Sequence, residues 1–124
     1  MHMDDRNLTA VAEQAAATSR VLKEPIEGST VLFDDGYVAI GCRLEFEDSE
    51  LNQDAVSNAL AAGRVNGSYR PLRVGIYSPI DDWPLPSNKA LAQIKECADT
   101  EVTFILSSGS GERKIITLTE LLQE

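Results

Sequence analysis

The most directly legible stretch of the chain is Thr30-Val31-Leu32-Phe33-Asp34-Asp35-Gly36-Tyr37-Val38-Ala39-Ile40-Gly41-Cys42-Arg43-Leu44-Glu45-Phe46-Glu47. Two β-prone runs flank Asp35-Gly36, a pair that supplies the positive φ a tight hairpin needs. In the second arm Val38, Ile40, Cys42, Leu44 and Phe46 alternate with Tyr37, Ala39, Gly41, Arg43, Glu45 and Glu47. The spacing predicts one buried face and one partly wet face, with Glu45 and Glu47 pointing the same way.

On the N-terminal side Leu8, Val11, Ala12, Ala15, Ala16, Ser19 and Leu22 recur at helical spacing, after Asp4, Asp5 and Asn7 as capping residues. The stripe is made of small residues, so this helix is expected close against a sheet and stopped by Pro25 and Gly28. On the C-terminal side a second helix is expected from Asp48-Ser49 to Ala62, ended by Gly63. Leu72 to Ser78 reads as a strand with Pro71 at its start, and Ser87 can cap a helix reaching about Ala98. Val102, Phe104 and Leu106 open a second hairpin that returns over Arg113 to Thr119, and Thr119 to Leu122 can start a last helical turn.

The predicted order is α-β-β-α-β-α-β-β with a short terminal helix. That pattern reads as a single α+β domain over residues 1–124: a mostly antiparallel sheet of two hairpins plus one strand, with about three helices packed mainly on one face. The opening Met1-His2-Met3 reads as a cloning scar, with Met1 and His2 vector-derived.

The 124 residues carry 20 Asp and Glu against 11 Lys and Arg, a net charge of -9. That surplus is the opposite of what phosphate neutralisation requires, so sequence-independent nucleic-acid binding is not expected. Nine carboxylates and one basic residue, Arg43, lie between Glu24 and Asp54, so nearly the whole excess sits on the first hairpin and its flanks. Arg64, Arg70 and Arg73 follow without a carboxylate among them. Apolar runs are short and broken by charge, and no basic-then-apolar leader is visible. The expectation is a soluble cytoplasmic protein that engages no membrane.

The chain is poor in familiar catalytic parts. Its one histidine is His2, and Cys42 and Cys97 lie 55 residues apart without a metal-binding spacing. Both cysteines are expected as free buried thiols. Ser107-Ser108-Gly109-Ser110-Gly111 lacks the phosphate-loop spacing and joins two strands. No metal and no cofactor are expected, and no catalytic residue is assigned.

The leading expectation is therefore a small acidic, non-catalytic interaction protein of the immunity, inhibitor or decoy type. Its partner would be a protein with a basic surface, met through Asp34, Asp35, Glu45, Glu47, Asp48 and Glu50, with Tyr77 and Trp83 as an aromatic anchor. A homodimer fits the same reading. The alternative is an assembly subunit, a phage or scaffold component, that self-associates through a sheet edge. A small-molecule-binding or catalytic α+β domain stands third.

Overall fold

The computed structural model describes residues 4–123; Met1 to Met3, and with them the vector-derived reading of Met1-His2, lie outside the described residues. Asp4 accepts the Asn7 N–H at 2.9 Å and starts α1 (Asp5–Ala16). Strands β1 (Gly28–Phe33) and β2 (Val38–Cys42) form the first hairpin, with Gly36 at φ 88° in its turn. Then come α2 (Ala55–Asn66), β3 (Pro71–Tyr77), α3 (Asn88–Cys97), β4 (Thr103–Ser107), β5 (Arg113–Thr117) and α4 (Leu118–Leu122).

The five strands run β2-β1-β3-β4-β5. Three pairings are antiparallel, and β3 pairs parallel to β4 because α3 carries the chain across between them. Alternation along each strand sends side chains to two faces. Val31, Phe33, Val74, Ile76, Phe104, Leu106 and Ile116 pack under α2, α3 and α4, while Leu32 and Ile105 meet Leu8 of α1 on the other. The α+β class stands, with three helices on one face and α1 alone on the opposite one.

Two glycines set how closely the helices lie. A Cβ at Gly28 would fall 1.9 Å from the Ala12 carbonyl oxygen, and one at Gly41 would fall 2.4 Å from that of Ala55. The alanines of α1 and α2 thus touch strand backbone, which is the meaning of the small-residue stripe.

Four boundaries differ from the sequence reading; the helix expected from Asp48-Ser49 starts only at Ala55, because Asp48 caps a separate 3-10 turn over Ser49–Leu51 and Asp54 caps α2. Helix α1 ends at Ala16 rather than running to Leu22, because the Thr18 hydroxyl and N–H both turn back to the Ala15 carbonyl. Strand β2 stops at Cys42; beyond it the Arg43 N–H goes to the Glu27 carbonyl and Leu44 bridges Gln53 and Arg20. Gly63 does not end α2. It lies inside the helix against the Phe33 ring, where a Cβ would be 2.3 Å from Cζ, and the left-handed stop is Gly67 at φ 91°.

Candidate functional site

Two helix N-termini converge on one side of the sheet. Asp54 caps α2 by accepting the Ser57 N–H at 2.8 Å, and Ser87 caps α3 by accepting the Ala90 N–H at 3.0 Å. The two caps touch: Ser87 Oγ donates to Asp54 Oδ2 at 3.2 Å. Ser57 Oγ lies 3.0 Å from the same Asp54 oxygen and 2.7 Å from Gln93 Oε1 of α3. A hydroxyl has one proton, so when Ser57 donates to the carboxylate, which also accepts from Ser87, Gln93 Oε1 is open to a donor from outside.

Behind this network stands Glu27, just before β1 and 5% exposed. It pairs with the Arg43 guanidinium at 3.0 Å and accepts the Ala55 N–H, at the start of α2, at 3.4 Å. Burial pushes the Glu27 carboxyl above the ordinary carboxylate range. Arg43 and the Ala55 N–H pull it back, and the neighbouring Asp54 charge adds to the rise. Arg43 also donates to the Pro25 carbonyl at 2.8 Å, which fixes its fork.

A groove of about 350 Å³ between α2 and α3 reaches Ser57 and Gln93. Phe33 and Leu60 give it apolar wall, and Arg64, stacked 4.3 Å over the Tyr69 ring, stands at its edge. Such a groove matches a flat, partly apolar molecule that ends in a hydrogen-bond donor.

The acidic residues singled out from the sequence do not form one face. Asp34 and Asp35 occupy the β1–β2 turn, where the Ser68 hydroxyl and the Tyr37 N–H hold the Asp35 carboxyl below its usual range. Glu45 is buried, not displayed with Glu47. It accepts N–H bonds from Lys23 at 2.8 Å and from Leu22 and Glu24, and these donors hold its carboxyl low. Glu47, Asp48 and Glu50 are exposed, with Asp48 accepting the Glu50 N–H at 3.0 Å. Arg70 and Arg73 pair with Asp99 and Asp5 rather than with the hairpin carboxylates.

The two aromatic candidates have separate neighbours. Tyr77 ends β3 beside Glu13, and Trp83 packs against the core under α2, α3 and α4. Cys42 and Cys97 are free thiols, but neither is buried as expected: Cys42 is half-buried and Cys97 is exposed. Asp54, Ser57, Gln93 and Glu27 form no pattern in the sequence; Ser87 is legible as a cap, whereas Asp54 falls inside the helix expected from Asp48-Ser49 and becomes a cap only because α2 starts at Ala55.

No family model matches the chain, and no curated protein matches it. Solved structures do. Cytidine deaminase from Burkholderia pseudomallei superposes with a TM-score of 0.88 at 17% identity, over 96% of each chain. The cytidine deaminase from Mycobacterium leprae gives 0.79 at 19% identity, over 99% of this chain and 100% of that one. That from Mycobacterium tuberculosis gives 0.76 at 25% identity, over 83% of this chain and 85% of that one.

This chain has the cytidine deaminase fold. The likeness overturns the expectation of a non-catalytic protein of the inhibitor or decoy type, and of a sheet-edge assembly subunit, because the solved structures that share this fold are cytidine deaminases. The expectation of no enzymatic activity is corrected on the same ground. It rested on missing histidine, phosphate-loop and zinc motifs, which a fold shared at such low identity does not require.

Zinc-dependent base deaminases hold their metal with a His or Cys and two further cysteines, in H-x-E and P-C-x-x-C patterns, with the Glu moving protons. The residues here do not fit that group. Pro86-Ser87-Asn88-Lys89-Ala90 keeps the proline and the spacing but has Ser87 and Ala90 at the cysteine positions. Among the described residues no three His, Cys, Asp or Glu side chains gather to hold a metal ion.

Proposed function

We propose that the chain is a small-molecule enzyme domain of the cytidine deaminase fold that takes a nucleoside or free nucleobase in the groove between α2 and α3. The observation that carries this reading is the groove of about 350 Å³ ending on Ser57 and Gln93, whose hydrogen bonds run on to Asp54 and Ser87. A planar heteroaromatic ring suits the Phe33 and Leu60 wall. Its N–H edge meets the acceptor that Ser57 leaves without a proton. Asp54 orients that edge or a water, and Glu27, buried against Arg43 at the start of α2 with its carboxyl pushed above the ordinary range by burial, steadies that end of the helix.

The relatives in structure support the ligand class, since they are cytidine deaminases. No helix among the described residues is long and apolar enough to cross a membrane. Two free thiols support a cytoplasmic setting.

The test is a binding and turnover screen over nucleosides and nucleobases by calorimetry and chromatography. Saturable binding of at least one such compound, lost in Asp54→Ala and weakened in Gln93→Ala, is the expected result. Binding of none, or binding indifferent to both substitutions, overturns the reading.

A further inference from the structure

Asp54 and Ser87 stand where two helix N-termini meet, and both are engaged by neighbouring protein groups. Asp54 accepts one N–H and has two hydroxyls within 3.2 Å; Ser87 accepts the Ala90 N–H while donating to Asp54. The P-x-x-x-x frame around Ser87 places Ala90, which has no ligating atom, three residues on, at the second cysteine position. Across the junction the three-residue frame Asp54-Ala55-Val56 mirrors H-x-E with Val56, 1% exposed and in the core, at the position of the proton-transferring Glu. Neither cysteine can compensate: Cys42 is on β2 and Cys97 closes α3 at the end opposite Ser87.

We infer that this chain is a zinc-independent version of its fold, in which the Asp54–Ser57–Ser87–Gln93 hydrogen-bond network takes the structural place of the metal cluster. Three features carry this. A zinc site needs three or four Cys, His or carboxylate ligands converging in a tetrahedron, and the junction offers a single carboxylate among hydroxyls and an amide. The charge of a bound cation is replaced by hydroxyl and N–H donors around Asp54 and, behind them, by the Arg43 guanidinium on Glu27. Val56 carries no carboxyl, and besides Asp54 the carboxyl at the α2 N-terminus is that of Glu27, in the segment ahead of β1, which accepts the Ala55 N–H.

The inference rests on the donor set and stands or falls apart from the ligand named above. Protein produced in zinc-supplemented medium is assayed for metal by mass spectrometry, and its unfolding is followed with and without a chelator. Fewer than about 0.1 zinc per chain, and a Tm unmoved by chelator, are expected. A stoichiometric zinc, or a chelator-induced fall in Tm, overturns the inference whether or not a nucleoside binds.

A second arm restores the ligands. The variant Asp54→Cys/Ser87→Cys/Ala90→Cys is expected to bind cobalt with the intense thiolate-to-metal absorption of a tetrahedral site, while the parent chain shows none. A folded triple variant without that absorption contradicts the correspondence of positions. If the triple variant fails to fold, Ser87→Cys/Ala90→Cys with Asp54 retained is used in its place, and cobalt-thiolate absorption is expected and required in the same way.

Discussion

The Ser87 hydroxyl reaches across 3.2 Å to the Asp54 carboxylate, so the caps of α3 and α2 are partners as well as helix starts. Each residue therefore has a stability role and a site role that substitution separates. Asp54→Ala removes an N-cap and costs roughly 0.5–2 kcal/mol. Asp54→Asn keeps a capping oxygen and is expected to lose less than half of that while still abolishing ligand binding. Urea unfolding of the two variants, read beside calorimetry, checks the separation.

Glu27 gives the chain a pH dependence of defined sign. Its folded-state pKa is raised above the ordinary value of 4.5, so its contribution to stability is fully present below that pH. The contribution is lost as pH rises through the folded pKa, because the folded state holds the proton more tightly than the unfolded chain. Glu27→Gln cannot lose a proton there. The Tm of Glu27→Gln minus that of the parent is therefore expected to become more positive as pH increases from 4.5. A difference that is flat or falls over that range contradicts the assignment.

Gly63 is a packing residue in the middle of α2, not a helix stop. Gly63→Ala improves helix propensity by about 1 kcal/mol, yet its methyl would stand 2.3 Å from the buried Phe33 ring. Ring displacement in a filled core costs about 1–3 kcal/mol, so the net effect on denaturant stability is expected to be destabilising. Phe33→Leu in the same background removes the clash and should recover part of the loss.

The fold was legible because its signals are local. Asp35-Gly36 dictates the first hairpin, Ser87 caps α3 as its type predicts, and the alternation of Val102, Phe104 and Leu106 marks β4. Sequence pattern and structure part where a distant partner captures the backbone. Leu22 fits a helical stripe but its N–H is taken by Glu45, and that same capture buries a carboxylate counted as surface charge. The site was hardly legible at all. Asp54 and Ser87 are 33 residues apart; Ser87 looks like an ordinary cap and Asp54 like a mid-helix residue until the fold sets them side by side. Glu27 looked like one more acid in a run of nine, and its meaning comes only from burial beside Arg43 and the start of α2.

The most direct measurement is a titration of isotopically labelled protein with cytidine, uridine and their free bases, followed amide by amide in NMR spectra. Saturable shifts confined to Asp54, Ser57, Leu60, Tyr69, Ser87 and Gln93 for at least one compound are the predicted result. Shifts absent for all four, or gathered instead on the exposed acidic segment around Glu47 and Glu50, would contradict the account.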